Sequence, residues 1–282
     1  MKKAGKVITI ALTLCLGILV FAGCGSNGSS DSGSSGGGDL SGTVSTNGST
    51  SMESVIGGLS EQFMKDNPDV KVTYDATGSG TGIESVSNGS CDIGLSSRAL
   101  KDEEKDKGLE EKTIALDGIA IIVNSSNKLT DIKMDDIKSI YTGDKTKWDD
   151  GGKIVCIGRE SGSGTRDGFE TITETEGKCK LEQELTSTGA VIEAVKGNKN
   201  AIGYASYADV KGKDGVTILK VDGVELTPDH ISDGTYKIQR PFNLITKKDS
   251  ELSEEAQAFY DYAASKDASS LIEDAGAVPT AE

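Results

Sequence analysis

Short apolar runs alternate with amphipathic segments from residue 40 to the end of the chain. Residues 52–67 predict a helix, because apolar side chains recur there at helical spacing. Residues 70–74 alternate in polarity and predict a strand, and the Asn67-Pro68 pair separates the two elements. The same patterns predict strands at residues 41–46, 92–96, 113–124, 153–158, 202–205 and 241–246, and helices at 81–87, 134–141, from 165 onward, and at 186–196, 253–264 and 269–274.

This alternation is typical of an α/β fold with mostly parallel sheets. A length of 282 residues allows one large domain or two ordinary ones, and the pattern suits two lobes. Residues 113–124 and 238–246 are the candidate crossovers between the lobes. No internal repeat is evident.

The N-terminus has the layout of a secretory signal, with three lysines before an apolar run over residues 7–22. That run is short for a membrane span, which needs about 20 apolar residues. Residues 21–24 (Phe-Ala-Gly-Cys) resemble the bacterial lipobox, in which the cysteine is lipidated; an ordinary signal peptide that contains a cysteine is the alternative. Residues 25–38 are almost all Gly and Ser, which is typical of a flexible tether. We therefore predict a signal peptide over residues 1–23, a lipid anchor at Cys24 and a tether over residues 24–38.

Charge and composition exclude several function classes. The formal net charge is −15, and removing the three lysines of the signal leaves 27 basic against 45 acidic residues, or −18. Such a chain offers no broad basic face for nucleic acid. Its single histidine, His230, lies in a predicted loop and excludes zinc sites that need several histidines. We expect no metal site and no cofactor.

Three cysteines remain after Cys15 of the signal and Cys24, namely Cys91, Cys156 and Cys179. An odd number cannot pair fully within the chain. One disulfide, such as Cys156–Cys179, and three buried thiols are both compatible with the sequence.

Four segments combine small hydroxyl residues with the end of a predicted strand, and in three of them a helix follows. Such a junction presents unpaired backbone N–H groups and the positive end of a helix dipole, and hydroxyls add donors without charge. The four are residues 47–51 (Asn-Gly-Ser-Thr-Ser), 77–82 (Thr-Gly-Ser-Gly-Thr-Gly), 95–98 (Leu-Ser-Ser-Arg) and 159–166 (Arg-Glu-Ser-Gly-Ser-Gly-Thr-Arg).

Each segment alone is better explained as an ordinary helix cap or turn. The second does not have the G-x-G-x-x-G spacing of dinucleotide sites, and none of the four has the G-x-S-x-G pattern of a nucleophile elbow. All four together favour a site for a tetrahedral oxyanion, because such a ligand needs donors from several directions.

In order and approximate spacing, these motifs resemble those of the phosphate-binding proteins of Pst-type ABC importers. The resemblance covers essentially the whole chain after the tether, including residues 203–205 and 240–242, and residues 159–165 are its most specific part. It implies a two-lobed, class II periplasmic-binding-protein fold with mixed, mostly parallel sheets and a ligand cleft between the lobes. The implied lobes are residues 39–118 plus 243–282, and residues 119–242.

The resemblance also implies the ligand contacts. Hydroxyl and backbone donors would come from both lobes, and Arg159 would supply the main charge through charge-assisted, potentially bidentate bonds. The predicted phosphate-binding residues are Ser49, Thr50, Ser51, Ser79, Ser97, Arg98, Arg159, Ser163, Gly164 and Thr165.

One position departs from part of the family. Some members have an aspartate where this chain has Ser97, and that carboxylate accepts the proton of hydrogen phosphate. Other members also have Ser-Ser-Arg here. Glu160 is a candidate replacement acceptor, or else a partner of Arg159 or Arg166.

The expected function is therefore capture of inorganic phosphate outside the cytoplasm, at the outer face of the bacterial cell membrane. The monomeric protein would deliver phosphate to the permease and ATPase subunits of an importer and would not be an enzyme. Another oxyanion (sulfate, molybdate or an organic phosphate), a surface phosphatase and a surface scaffold are the alternatives.

Overall fold

The computed structural model describes residues 40–281, so the predicted signal peptide, Cys24 and the tether lie outside the described residues. The strands are β1 (Gly42–Gly48), β2 (Val70–Ala76), β3 (Ile93–Ser96), β4 (Leu109–Asn124), β5 (Asp131–Ile132), β6 (Val155–Arg159), β7 (Gln183–Leu185), β8 (Ala201–Ser206), β9 (Val216–Ile218), β10 (Lys220–Val221), β11 (Gln239–Lys247) and β12 (Val278–Pro279). The α-helices are α1 (Glu53–Asp66), α2 (Ser79–Ser87), α3 (Asp102–Lys105), α4 (Met134–Thr142), α5 (Gly164–Ile172), α6 (Thr188–Lys196), α7 (Tyr207–Val210), α8 (Pro228–Ser232), α9 (Glu254–Ala263) and α10 (Ser269–Asp274). Short 3₁₀ helices cover Thr50–Met52 and Lys266–Ala268.

The main sheet runs in the order β2-β1-β3-β11-β4-β8-β6-β7, with β9 and β12 also paired to β4. Parallel pairs lie towards its two ends, where β1 joins β2 and β3, and β6 joins β7 and β8. The long strands β4 and β11 pair antiparallel with each other and with their other neighbours. The predicted α/β class is confirmed, and the sheet is mixed because the two crossover strands run in opposite directions.

Two large hydrophobic cores, and a small third cluster that includes Ile83, Leu109 and Ile245, pack along the crossover strands. The larger one lies within residues 119–238 and contains the second half of β4, β6, β8 and the aromatic side chains Tyr141, Phe169 and Tyr204. The other combines residues 44–115 with residues 242–277, and α1 and α9 pack there through Phe63 and Phe259. Two cores joined by long strands are the two-lobed arrangement that the sequence predicts.

Strand β4 explains how one chain segment serves both lobes. Its first half pairs with β11 from Leu109 to Gly118, and its second half pairs with β8 and β9 from Ile119 to Asn124. We call the body built on residues 44–115 and 242–277 the first lobe, and the body built on residues 119–238 the second. Ala208 of α7 packs in the core of the first lobe, although it belongs to the chain segment of the second lobe.

The long predicted elements occur within a few residues of their expected bounds. The predicted helix over residues 52–67 begins as the 3₁₀ turn Thr50–Met52 and continues as α1. The sequence predicts a loop at His230, but this residue lies in α8, because the Thr227 hydroxyl caps that helix and Pro228 occupies its first turn.

Cys91, Cys156 and Cys179 are unbonded thiols in the structure, so the Cys156–Cys179 disulfide does not form. Burial raises the pKa of Cys156 to about 12 and favours the protonated thiol. Within residues 40–281 no group of three or more His, Cys, Asp or Glu side chains could hold a metal ion, and no helix has the length and apolarity to cross a membrane.

Candidate functional site

Four helical N-termini meet between the lobes. The 3₁₀ turn at Thr50 and α2 at Ser79 come from the first lobe, and α5 at Gly164 and α6 at Thr188 come from the second. Helix N-termini leave backbone N–H groups without intrahelical acceptors and carry the positive end of the helix dipole. This junction therefore favours an anion before any side chain is considered.

Three serine hydroxyls form the part of the site contributed by the first lobe. The Ser49 hydroxyl donates to Ser97 Oγ at 2.7 Å, and Ser79 Oγ lies 3.1 Å from the same atom. The Ser97 backbone N–H also donates to Ser79 Oγ at 3.1 Å. All three side chains are buried. Three of the sequence motifs, well separated along the chain, thus meet at one point.

A second group of hydroxyls joins the two lobes. Ser51 Oγ lies 2.7 Å from Thr165 Oγ1 and 2.9 Å from Thr188 Oγ1. Thr50 Oγ1 lies 3.2 Å from Thr188 Oγ1 and accepts the Thr188 backbone N–H at 3.1 Å. Together with the three serines above, these side chains form what we call the hydroxyl ring: Ser49, Thr50, Ser51, Ser79, Ser97, Thr165 and Thr188.

Gly164 brings α5 against the ring. A Cβ atom at this position would lie 2.4 Å from Ser79 Oγ and 2.7 Å from Ser97 Oγ, which is closer than such atoms approach. Residue 164 must therefore be glycine for the second lobe to reach the serines of the first. Nearby, the Gly80 N–H donates to Gly162 O at 2.9 Å and adds a backbone contact between the lobes.

Arg159 lies at the end of β6 with only 1% of its surface exposed. Its guanidinium donates to Leu185 O at 3.1 Å, Thr186 O at 2.9 Å and Thr188 Oγ1 at 3.3 Å. Within residues 40–281 no carboxylate lies within ion-pair distance of this group. Burial lowers the pKa of Arg159 to about 10, so the side chain stays cationic at neutral pH.

Each of the other three arginines has a carboxylate partner. Arg98 pairs with Glu104, and Arg166 pairs with Glu170 at 2.7 Å. Arg240 pairs with Asp117 at 3.1 Å in a fully buried contact. An unpaired buried charge is strongly unfavourable, so Arg159, which has no ion-pair partner among the described residues, is the arginine best suited to bind an anion from outside the chain.

The Arg240–Asp117 pair contacts the ring through hydrogen bonds from Arg240 to residues of both lobes. Arg240 donates to Ser97 O at 3.2 Å and to Thr165 Oγ1 at 3.0 Å, and so orients one group from each lobe. Burial raises the pKa of Asp117 and lowers that of Arg240, while the attraction between the two opposes both shifts. Residues 240–242 belong to the family resemblance in the sequence, but the position of Arg240 beside the ring follows only from the fold.

Three of the candidate side chains do not contribute a bond to the ring. The Arg98 guanidinium binds Glu104 through two 2.7 Å hydrogen bonds and lies beside Asp167, away from the ring. Ser163 is buried and its hydroxyl caps α5 by accepting the Arg166 N–H. Glu160, the candidate acceptor, makes no ion pair with any described residue, and neither Arg159 nor Arg166 is its partner.

Sequence reasoning missed Thr188, which bonds to two hydroxyls of the first lobe and to Arg159. The signal was present, since residues 186–189 (Thr-Ser-Thr-Gly) follow β7 and continue into the first turn of α6. This is the same combination of strand, hydroxyls and helix that marks the other loops.

Known proteins share both the sequence and the fold of this chain. A PBP superfamily domain matches residues 33–267. The phosphate-binding protein PstS of Bacillus subtilis is 30% identical over 291 residues, which cover 99% of this chain and 96% of that protein. The chain belongs to the PstS family. PstS of Staphylococcus saprophyticus is 33% identical over 249 residues, covering 82% of this chain and 76% of the relative.

Solved structures of PstS-like proteins have the same fold. A phosphate ABC transporter substrate-binding protein of Clostridium perfringens, with bound phosphate, is 36% identical with a TM-score of 0.81 and matches 85% of this chain and all of its own. An ABC-type phosphate transport receptor of Vibrio cholerae is 28% identical with a TM-score of 0.68, over 83% of this chain and 99% of its own. The predicted family and the two-lobed periplasmic-binding-protein fold of this PstS-family chain are therefore confirmed.

Proposed function

We propose that the protein captures inorganic phosphate between its lobes and delivers it to an ABC importer. The observation that carries this proposal is the buried Arg159, a cation without a carboxylate partner among residues 40–281 that touches the hydroxyl ring at Thr188. The names of the PstS relatives and of the phosphate-bound structure point to the same ligand.

The proposed contacts use both lobes. Arg159 supplies the charge, and the buried Ser163 fixes the start of α5. Each hydrogen bond contributes roughly 1.5–3 kcal/mol when the partner is charged, so several are needed to offset the dehydration of a phosphate ion. The proposed donors are Ser49, Thr50, Ser51, Ser79 and Ser97 from the first lobe, and Gly164, Thr165 and Thr188 from the second.

Phosphate would enter an open form and close the lobes by bridging them. The contacts Ser51–Thr165 and Thr50–Thr188 exist only when the lobes are together, and an anion bound among them favours that state. The acidic surface does not prevent binding, because distant exposed charges are screened while the helix N-termini act at short range. The sequence places the lobe boundaries at residues 118/119 and 242/243; because Phe242 packs in the core of the first lobe, we place the second boundary at 241/242.

The remaining proposals concern the surroundings of the protein. A lipid on Cys24 and a tether over residues 24–38 would hold a monomeric body at the outer face of the cell membrane. The permease and ATPase subunits of the importer would be its partners. Labelling with a radioactive fatty acid tests the anchor, and a Cys24→Ser variant that is released into the medium is the expected result.

The alternative ligands follow from the chemistry of the ring. None of its seven side chains is a carboxylate, so a hydroxyl or backbone carbonyl oxygen would accept any proton that the anion carries. Sulfate or molybdate would find the same donors. A phosphatase is less well supported, because His230 lies in α8 and its Nδ1 contacts Glu225 O at 2.8 Å instead of any ring hydroxyl.

Native mass spectrometry and titration calorimetry separate these ligands. We expect one phosphate per protein after purification in phosphate buffer, and calorimetric affinity for phosphate at least about tenfold above that for sulfate or molybdate. Equal or stronger binding of another oxyanion would show that phosphate is not the preferred ligand. Turnover of a chromogenic phosphate ester would instead indicate an enzyme.

A further inference from the structure

Arg98 lies between two carboxylates that belong to different lobes. Its Nη1 and Nη2 atoms each donate to Glu104 at 2.7 Å, and Glu104 is six residues away in the first lobe. Its Nε atom lies 3.0 Å from Asp167 Oδ2, a contact between opposite charges that does not have the geometry of a hydrogen bond. Asp167 belongs to the first turn of α5, two residues after the ring residue Thr165.

The contact between Arg98 and Asp167 crosses the cleft. Arg98 follows β3, whose Ile93 and Leu95 lie in the core of the first lobe. Asp167 is on α5, whose Phe169 lies in the core of the second lobe. Neither side chain bonds to a ring hydroxyl or to Arg159. The contact therefore requires the two lobes to be close together, but neither of its side chains belongs to the proposed anion site.

Two features make this ion pair stronger than an ordinary surface pair. The side chains are only 9% and 31% exposed, so solvent screens the pair less. Glu104 already fixes the Arg98 guanidinium, which lowers the entropy lost when Asp167 arrives. Lys101 adds a second, weaker cation 3.9 Å from Asp167.

We propose that Asp167 and Arg98 form a latch that stabilises the closed form without touching the ligand. This inference rests on the proposed function, in which closure retains the anion. The apparent dissociation constant of a protein is its intrinsic value divided by the fraction in the competent form. Loss of the latch lowers the closed fraction and lets bound anion escape sooner, while the ring keeps its selectivity.

The test compares Asp167→Asn with Asp136→Asn. Both aspartates lie in the first turn of a nine-residue helix of the second lobe, and both pair with a cation. The partner of Asp136 is Lys145 of the same lobe, at 2.9 Å, so this control removes an equivalent charge without affecting the contact between lobes.

Release of labelled phosphate into excess unlabelled phosphate gives the dissociation rate of each variant. We expect D167N to raise that rate by about three- to tenfold, as removal of a partly shielded ion pair implies, with the association rate and the ratio of phosphate to sulfate affinity unchanged. D136N should match the original protein within about twofold. A dissociation rate unchanged by D167N, an equal effect of D136N, or an altered phosphate-to-sulfate ratio would overturn the latch.

Small-angle X-ray scattering of the ligand-free proteins tests the latch independently of the ligand. We expect a larger radius of gyration for D167N than for the original protein and for D136N. Identical radii in all three would contradict the latch. If the original protein bound no phosphate while D167N was still more open, the proposed function would fail and the latch would remain.

Discussion

Ser51 Oγ lies 2.7 Å from Thr165 Oγ1, although 114 positions separate the two residues in sequence. One hydroxyl precedes the first helix of the first lobe and the other lies at the start of α5 in the second. Both side chains are buried; Thr188 contacts Ser51, and Arg240 contacts Thr165. Hydroxyls of the two lobes therefore meet in one hydrogen-bonded cluster, and substitutions there should change ligand binding.

Thr188 connects the ring to Arg159, so its hydroxyl should matter to binding. We expect Thr188→Val to weaken phosphate binding about tenfold, because a lost hydrogen bond to a charged partner is worth about 1.5–3 kcal/mol. Thr188→Ser keeps the hydroxyl and should bind within about threefold of the original protein. Calorimetric titration of both variants checks this, and equal losses in both would assign the effect to packing.

Gly164 is the glycine that lets α5 approach the serines of the first lobe, and it should not tolerate a side chain. An added Cβ would lie 2.4 Å from Ser79 Oγ, so Gly164→Ala should prevent the lobes from closing fully and lower phosphate affinity by at least about tenfold. Gly189 is the matched control, because it also lies at the start of a helix of the second lobe and an added Cβ there would meet nothing within 4 Å. Gly189→Ala should bind normally in the same titration. A G164A protein of unchanged affinity would show that the contact between α5 and the serines is not required.

The sequence predicted much of this fold because its long elements have strong periodic signals. The buried run of β4 and the apolar face of α1 are examples, and both occur close to the predicted bounds. Elements such as α3, α7 and β10 are two to four residues long, and periodicity cannot identify elements of that length. The antiparallel pairing of β4 and β11 depends on contacts between distant segments, which a local pattern does not contain.

The site was predictable wherever a local motif marked it. The glycine and hydroxyl loops at Ser49, Ser79 and Ser163 were identified from such motifs, and the fold brings them together. Arg98 could not be assigned in this way, since its place beside Glu104 and Asp167 depends on how the lobes meet. The pairing of Arg240 with Asp117, 123 positions apart in sequence, likewise follows only from the fold.

The Asp209 carboxyl should make the stability of the protein depend on pH. Burial raises the pKa of its carboxyl to about 7, and nearby Asp117 and Glu53 add to the shift, while hydrogen bonds from Ser54 oppose it. The folded state therefore holds a proton that the unfolded state releases near pH ~4. The contribution of the Asp209 carboxyl to the free energy of unfolding is therefore fully present below about pH 4 and is lost as the pH rises to about 7.

Asp209→Asn tests the assignment, because asparagine keeps an oxygen that can accept from Ser54 but carries no charge. We expect the melting temperature of the variant, relative to that of the original protein, to increase between about pH 5 and about pH 8. Thermal unfolding followed by circular dichroism at both pH values measures it. A difference that stays constant with pH would show that Asp209 has the same pKa in both states.

Arg159 is the residue on which phosphate capture depends most, because it holds a buried positive charge that no described carboxylate balances. Equilibrium dialysis with radiolabelled phosphate should compare the original protein with Arg159→Met, and circular dichroism should establish that the variant is folded. We predict one phosphate bound per original molecule and an affinity at least about tenfold weaker in the folded variant, a loss of about 1.4 kcal/mol or more. Unchanged phosphate affinity in a folded R159M protein would show that this charge does not serve the anion.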